Sequence, residues 1–117
     1  LGEDRSVAVS DSMCASGLGD GEYELGGTTV YVKDGKALLA DGTIAASTTN
    51  IFAEFRNIIS FGVPVRQAVK SCTINPARAI GVDDVTGSIA VGKRADFTVL
   101  SSDLKELECV YIKGKRI

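Results

Sequence analysis

The chain has 117 residues, with 13 lysines and arginines against 15 aspartates and glutamates, and it contains no histidine and no tryptophan. Its apolar fraction of 44% and charged fraction of 24% are typical of one globular unit, whereas a complete (β/α)8 barrel needs about 250 residues. The net charge of −2 argues against a nucleic-acid partner, because phosphate binding requires a basic face. Without histidine, a metal or acid–base site formed by this chain alone must use carboxylates, thiols or lysines.

The cysteines follow neither a disulfide pattern nor a zinc-binding pattern. Cys14, Cys72 and Cys109 are odd in number and far apart, which favours the reducing cytoplasm. No apolar run approaches the roughly 18 residues of a membrane span, so we expect no membrane partner. The chain opens on Leu1-Gly2-Glu3 without an initiator methionine, and we expect this start to be internal to a longer protein.

Strands and turns are predicted in the first part of the chain. The apolar run Val7-Ala8-Val9 predicts a buried strand, and the glycines of residues 17–21 predict a loop. The glycine spacing in that loop is not that of a dinucleotide-binding motif. Asp34-Gly35 lies between two β-prone runs and predicts a β-hairpin over residues 28–40, and Asp41-Gly42 predicts a second turn.

Three helices are predicted in the middle of the chain. The polar cluster 47–50 offers N-cap side chains to the first helix, which Gly62 ends. The apolar face of this helix consists of Ile51, Phe52, Phe55, Ile58 and Ile59. The second helix follows Pro64, with an apolar face of Val65, Ala68, Val69 and Cys72. Asn75 is predicted to cap a short third helix over residues 76–80, which a glycine closes.

The C-terminal part returns to the pattern of strands. Phe97–Leu100 and Cys109–Ile112 predict strands, and Lys113-Gly114 predicts a turn that leads to the terminal Ile117. The fold class is therefore α/β, in the order strand, hairpin, helices and strands. Because Val7-Ala8-Val9 has no evident partner strand nearby, the sequence is typical of the end of a larger fold.

Asp11 is the most informative carboxylate, because it follows an apolar run and precedes a glycine-rich loop. At the end of a barrel strand, such a carboxylate could take a proton from a metal-bound water and pass it to a leaving amine. The alternative, which position alone favours, is an Asx turn in which the carboxylate of Asp11 caps the loop backbone.

Other polar residues are predicted to be structural. The sequence predicts an acidic loop at Asp20, Glu22 and Glu24. Solvation of this loop is favoured over cation binding, because the glutamate that completes a calcium loop is missing. Cys14 has no histidine to activate it as a nucleophile, and Cys72 is predicted to lie in the core. Asp96 could be mistaken for a catalytic carboxylate, but its position after Gly-Lys-Arg-Ala predicts that it accepts backbone N–H bonds in a turn.

Three parts of the sequence carry a family resemblance, namely residues 9–13 with 17–27, residues 41–47, and residues 75–81 with 87–96. Together they closely resemble the C-terminal third of the N-acetylglucosamine-6-phosphate deacetylases, a family of the amidohydrolase superfamily. The pattern in residues 87–96 is shared across that superfamily. The Asp11 loop and residues 41–47 are the parts that point to the deacetylases.

The resemblance implies a metal-dependent hydrolase that removes acetate from N-acetylglucosamine 6-phosphate and forms a homodimer or a higher homo-oligomer. It implies that residues 1–81 are the end of a (β/α)8 barrel with the inserted hairpin, and that residues 82–117 are strands of a small β-sandwich. Asp11 matches the family's catalytic aspartate, and Ile44-Ala45-Ala46 matches a segment that touches the substrate. The zinc or iron ligands of the family, a glutamate and two histidines, lie upstream of the part that this chain matches.

Two positions depart from the family pattern, which usually has glycine at Ala46 and alanine at Ser12. The methyl group of Ala46 could narrow the substrate site, and restoring glycine would then change KM more than kcat. Otherwise Ala46 only begins the run into the helix cap. Without the metal ligands, the isolated chain is expected to be inactive. The alternatives are another amidohydrolase, or a sugar-binding or interaction module that keeps the scaffold without the chemistry.

Overall fold

A computed structural model describes residues 2–117 and has the α/β composition that the sequence predicts. Its elements in chain order are β1 (Gly21–Leu25), β2 (Thr28–Lys33), β3 (Lys36–Leu38), β4 (Ile44–Ser47), α1 (Ile51–Ser60), α2 (Val65–Cys72), α3 (Ile74–Ala79), β5 (Phe97–Leu100), β6 (Leu107–Ile112) and β7 (Lys115–Arg116). Over the described residues, none of the helices has the length and apolar character that a bilayer crossing requires.

The chain divides into two compact units. Val9–Glu54 form the first, here called the sheet unit, and the second consists of the residues up to Ala8 together with Phe55–Ile117, here called the helix–sheet unit. The division falls within α1, between Glu54 and Phe55.

The sheet unit is built on a four-stranded antiparallel sheet in the order β1-β2-β3-β4. The hairpin between β2 and β3 confirms the prediction, because Asp34 and Gly35 occupy the turn with φ of 50° and 71°. Both angles are positive, as a type I′ turn requires, and Asp-Gly meets that requirement at little cost. The buried core of this unit consists of Met13, Ala15, Val30, Val32 and Ala37.

A β-bulge shapes the last strand of this sheet. Ala37 pairs with Ala46 and Leu38 pairs with Ile44, so Ala45 is an extra residue in β4. A bulge interrupts the usual alternation of side chains along a strand. Consistent with this, both Ala45 and Ala46 pack against the core of the sheet unit.

The ends of the first helix confirm the sequence prediction. At its start, the Oδ1 atom of Asn50 accepts the N–H of Ala53 at 3.0 Å, as an N-cap side chain does. At its end, the N–H of Gly62 donates to the Ile59 carbonyl and the N–H of Val63 donates to the Ile58 carbonyl. This pair of bonds is a Schellman motif, which satisfies carbonyl groups that the last turn leaves open.

The third helix begins earlier than predicted, and Asn75 is not its cap. Helix α3 starts at Ile74, so Asn75 lies in its first turn and is buried. The Nδ2 atom of Asn75 donates to the carbonyls of Glu3 and Ser6, each at 2.8 Å. The side chain therefore holds the N-terminal segment instead of capping the helix, which local sequence could not indicate.

The strand predicted at Val7-Ala8-Val9 is wrong. Residues 6–11 have no regular secondary structure, and Val9 is 72% exposed. The N–H of Ala8 donates to the Ser71 carbonyl at 2.9 Å, so this segment is tied to the end of α2 rather than to a sheet. An apolar run forms a strand only when another strand satisfies its backbone.

The acidic loop predicted at Asp20, Glu22 and Glu24 is also partly wrong. Glu22 and Glu24 lie within β1, where both are exposed. Asp20 is exposed just before that strand, and its carboxylate accepts the N–H of Asp34 at 3.2 Å. Strand pairing with β2 gives the backbone here a regular extended form.

The second sheet contains β5, β6 and β7 in antiparallel order and lies in the helix–sheet unit. Asp96 anchors it as predicted, because its Oδ1 atom accepts the N–H of Lys113 at 2.8 Å and its Oδ2 atom bonds the Arg94 side chain. The rings of Phe97 and Tyr111 stack with centroids 4.6 Å apart. The turn at Lys113-Gly114 is also confirmed, with φ of 51° and 76°.

Candidate active site

Asp11 lies beside the end of β4, within the sheet unit. The N–H of Ser47 donates to the Asp11 carbonyl at 2.9 Å, and the N–H of Met13 donates to the Ser47 carbonyl at 3.0 Å. Ser12, between these two residues, pairs with Ser47 in an isolated parallel bridge. The structure therefore brings the predicted catalytic residue next to the segment in which the substrate contacts are predicted.

The backbone of Asp11 is in the left-handed region, with φ of 51°. Aspartate tolerates this conformation better than most residues, but it still needs surrounding contacts to hold it. The residue is exposed, and within residues 2–117 its carboxylate caps no backbone N–H group. The Asx turn considered as the structural alternative is therefore absent from this range, and the carboxylate is available to an external group.

The three residues of the predicted substrate segment differ in exposure. Ile44 is 76% exposed, whereas Ala45 and Ala46 are half-buried against the core. Ala46 is paired with Ala37 and has no positive φ, so its backbone is that of an ordinary strand residue. Any contact between this segment and a ligand would therefore involve the Ile44 side chain or the backbone rather than the methyl groups of the alanines.

A turn fixes the entry into this segment. The N–H of Thr43 donates to the Oδ1 atom of Asp41 at 2.9 Å, and the N–H of Gly42 donates to the Leu39 carbonyl at 2.9 Å. The bond from Thr43 holds the pKa of the Asp41 carboxyl below its usual value. Asp41-Gly42 is thus the turn that the sequence predicts, and it leads directly into Ile44.

Sequence reasoning missed a chain of polar side chains that follows β4. The hydroxyl groups of Ser47 and Thr49 are 2.7 Å apart, and the Thr49 hydroxyl donates to the Glu54 carboxylate. The Ser12 hydroxyl donates to the Thr49 carbonyl, so the same chain also contacts the Asp11 loop. The sequence contains a sign of this chain in the run of polar residues Ser47-Thr48-Thr49-Asn50, but by itself that run indicates only N-cap residues.

The cysteines have structural surroundings. Cys14 is exposed, and its Sγ atom lies 3.4 Å from the Glu24 carbonyl, to which the thiol donates. Cys72 is half-buried, which agrees only in part with the core position predicted for it.

The described residues do not fit a metal ion. The sequence has no histidine, and residues 2–117 contain no group of three or more cysteines, aspartates and glutamates close enough to hold one. Zinc sites need such a set of protein ligands. A metal ion near Asp11 would have to be held by residues outside 2–117.

Both the sequence and the fold are similar to those of known proteins. The profile of the amidohydrolase family matches residues 29–117. The chain is 37% identical over 114 residues to an N-acetylgalactosamine-6-phosphate deacetylase from Escherichia coli O157:H7, matching 97% of this chain and 30% of that protein. It is 39% identical over 103 residues to an N-acetylglucosamine-6-phosphate deacetylase from Bacillus subtilis, matching 87% of this chain and 26% of that protein.

The fold also resembles that of a deacetylase whose structure has been solved. A variant of the N-acetyl-D-glucosamine-6-phosphate deacetylase from Mycobacterium smegmatis, in complex with N-acetyl-D-glucosamine-6-phosphate, matches with a TM-score of 0.90 and 36% identity. The match covers 98% of this chain and 31% of that one. The chain thus spans roughly three tenths of the length of these relatives. Because the family profile matches most of its residues, the chain belongs to the amidohydrolase family.

Proposed function

We propose that this chain is part of a hydrolase that releases acetate from N-acetylglucosamine 6-phosphate, with Asp11 as its acid–base residue. The observation that carries the proposal is the pair of backbone bonds joining Asp11 and Met13 to Ser47, because it puts an exposed carboxylate beside the segment that ends in Ile44-Ala45-Ala46-Ser47. The relatives named for this reaction and the solved complex with the sugar phosphate support the assignment.

Asp11 would act twice in one turnover. As a base, its carboxylate takes a proton from the water that attacks the acetyl carbonyl carbon. As an acid, it then gives that proton to the amide nitrogen while the C–N bond breaks, which leaves the free amine and acetic acid. The second proton of the water is released when the acetic acid ionises to acetate. Asp11 gives up the same proton that it has accepted, so it ends the turnover as the carboxylate in which form it began.

Ile44, Ala45 and Ala46 would border the substrate in this proposal. Ile44 is the exposed member and can lie against the sugar or its acetyl group. The bulge at Ala45 interrupts the pairing between β3 and β4 at this point, and bulges often re-aim residues next to active sites.

The proposal includes a larger architecture. Residues 1–81 would complete a (β/α)8 barrel with the hairpin inserted, and residues 82–117 would contribute strands to a β-sandwich, in a homodimer or a higher homo-oligomer. The amidohydrolase family is generally metal-dependent. Residues 2–117 contain no suitable ligand group, so the expected zinc or iron would be held by residues outside this range.

A second candidate substrate is N-acetylgalactosamine 6-phosphate. It is favoured by the relative from Escherichia coli O157:H7, which is 37% identical and is named for that sugar. The two sugars differ only in the configuration of one hydroxyl group, so the same acid–base chemistry would serve both.

The proposed function is tested by acetate release in the complete enzyme, meaning this chain together with the rest of the length that its relatives have. We expect kcat/KM for N-acetylglucosamine 6-phosphate to exceed that for N-acetylgalactosamine 6-phosphate and that for unphosphorylated N-acetylglucosamine. A higher kcat/KM for the galactosamine compound would favour the second candidate. If neither phosphorylated sugar releases acetate, both candidate functions are overturned.

A further inference from the structure

We propose that Thr49 and Glu54 are positioning residues that hold Asp11 in its left-handed conformation through Ser47. The inference rests on the proposed function, because it concerns the residue to which that function assigns the proton transfer. Thr49 and Glu54 lie at the start of α1 and do not reach the reacting atoms in this proposal. They would act on turnover only through the backbone that holds Asp11.

The direction of the hydrogen bonds in this chain is fixed by the carboxylate. An ionised glutamate can only accept, so the single hydroxyl proton of Thr49 is directed to Glu54. The Thr49 oxygen must then accept the hydroxyl proton of Ser47, whose oxygen lies 2.7 Å away. Ser47 therefore donates to Thr49 and Thr49 donates to Glu54, and bonds in such a series strengthen one another.

This chain of donors fixes the end of β4. The Oγ atom of Ser47 also accepts the N–H of Thr49 at 3.0 Å, so its side chain is bonded on both its donor and its acceptor side. Ser47, Thr49 and Glu54 are all half-buried. Partial exclusion of water makes each of these bonds more costly to break than it would be on an open surface.

The fixed strand end in turn holds Asp11. The N–H of Ser47 donates to the Asp11 carbonyl, and its own carbonyl accepts the N–H of Met13. A second link runs from the Ser12 hydroxyl to the Thr49 carbonyl. The left-handed conformation is uncommon for a residue with a side chain and needs neighbours to hold it. Here Asp11 and Met13 are bonded to Ser47, and Ser12 is bonded to Thr49.

A purely structural role predicts something different. Thr49 precedes the N-cap residue of α1 and Glu54 lies in the first turn of that helix, so a purely structural role would be to stabilise the start of α1. In that case substituting Thr49 or Glu54 would lower the stability of the enzyme. The effect of the substitution would be the same whether residue 11 is aspartate or asparagine.

The experiment measures acetate release by the complete enzyme carrying Thr49→Val, Thr49→Ser or Glu54→Ala. Thr49→Val keeps the shape and removes the hydroxyl group, whereas Thr49→Ser keeps it. We expect Thr49→Val and Glu54→Ala to lower kcat by roughly 10- to 100-fold with KM within about threefold, and Thr49→Ser to restore most of the rate. Thr29→Val, on the exposed face of β2, is the matched control and should leave kcat unchanged.

The double variants distinguish positioning from helix stability. In the Asp11→Asn background we expect Thr49→Val to cause little further loss of kcat, because residues that act as a unit are not additive. If Thr49→Val and Glu54→Ala both keep normal turnover while Asp11→Asn is inactive, the inference is overturned and the proposed function stands. A full, additive loss in the double variant would also overturn it. A wild-type enzyme that releases no acetate would overturn the proposed function first, and the inference with it.

Discussion

The two sheets of this chain are both antiparallel, but only one of them has a core of its own. In the sheet unit, Val30 and Ala37 are fully buried and Val32 is nearly so. In the sheet of β5, β6 and β7, by contrast, the described side chains are half-buried or exposed. Phe97, Leu107 and Ile112 are among the exposed apolar residues of this second sheet.

This difference in packing determines where the molecule can hold a precise geometry. A residue in a strained conformation needs a rigid support, and the packed core of the sheet unit supplies one for Asp11 and for β4. The second sheet instead relies on turns and on polar anchors such as Asp96. We therefore expect changes in the first sheet to affect both chemistry and stability, and changes in the second sheet to be milder.

The largest effect is expected from Asp11 beside the first sheet, and Asp96 beside the second sheet is its matched comparison. Asp11→Asn should lower kcat by at least about 10²-fold with a comparatively small change in KM, because asparagine keeps the shape but takes up no proton. Asp96→Asn keeps an oxygen that can accept the N–H of Lys113 and should leave kcat close to normal. Steady-state kinetics of the complete enzyme measures kcat and KM for both variants, and equal losses of kcat would show that the two aspartates do not differ in role.

The contribution of the first sheet's core to stability can be measured by truncating one valine in each sheet. Val30→Ala should lower the free energy of unfolding by about 1.5 to 3 kcal/mol, because it removes two buried methyl groups and leaves a cavity. Val99→Ala, at a half-buried position in β5, should cost clearly less. Denaturant titration of both variants measures the difference, and an equal or larger cost for Val99→Ala would show that the second sheet is as well packed as the first.

Ala46→Gly addresses the departure from the family pattern. Because the methyl group of Ala46 packs against the core and its backbone pairs with Ala37, we expect a loss of up to about 1 kcal/mol in stability. We expect KM for the sugar phosphate to stay unchanged. Kinetics and thermal melting on the same preparation decide this, and a changed KM with an unchanged melting temperature would assign the methyl group to the substrate site.

A smaller, pH-dependent effect is expected at the turn that Asp96 anchors. The N–H of Lys113 and the Arg94 side chain hold the pKa of the Asp96 carboxyl below its usual value. The stabilisation is therefore complete above the pKa of an unfolded aspartate, about 3.9, and is lost as the pH falls through the lower folded value. At that pH the turn between β6 and β7 should loosen.

Asp41 offers the matching case in the first sheet. The pKa of its carboxyl is also lowered, but by the N–H of Thr43 only two residues away, so acid should loosen that turn alone. NMR titration of the Lys113 and Thr43 amides would follow both carboxyls. A Lys113 amide that titrates in Asp96→Asn as it does in the wild type would contradict the assignment.

Local signals in the sequence predicted much of this fold. The Asp34-Gly35 hairpin, the start of α1 at Asn50, and the strands β5 and β6 are confirmed because turn chemistry and periodicity determine them locally. Val7-Ala8-Val9 and Asn75 were misinterpreted because their partners are distant in sequence. Ala8 bonds the Ser71 carbonyl, and no local pattern encodes that contact.

The candidate site was only partly accessible to sequence reasoning. Asp11 and residues 44–46 came from a resemblance, and the backbone bonds of Ser47 explain why the two segments lie together. The chain from Ser47 through Thr49 to Glu54 depends on side-chain directions at the junction of β4 and α1. Residue types and spacing do not specify those directions.

The rate of acetate formation in a single turnover, compared between the wild type and Asp11→Asn of the complete enzyme at saturating N-acetylglucosamine 6-phosphate, tests the proposed proton transfer by Asp11. We predict that this rate falls by at least about 10²-fold in Asp11→Asn, because asparagine keeps the shape of the side chain but takes up no proton. A single-turnover rate in Asp11→Asn equal to that of the wild type would contradict the proposed role.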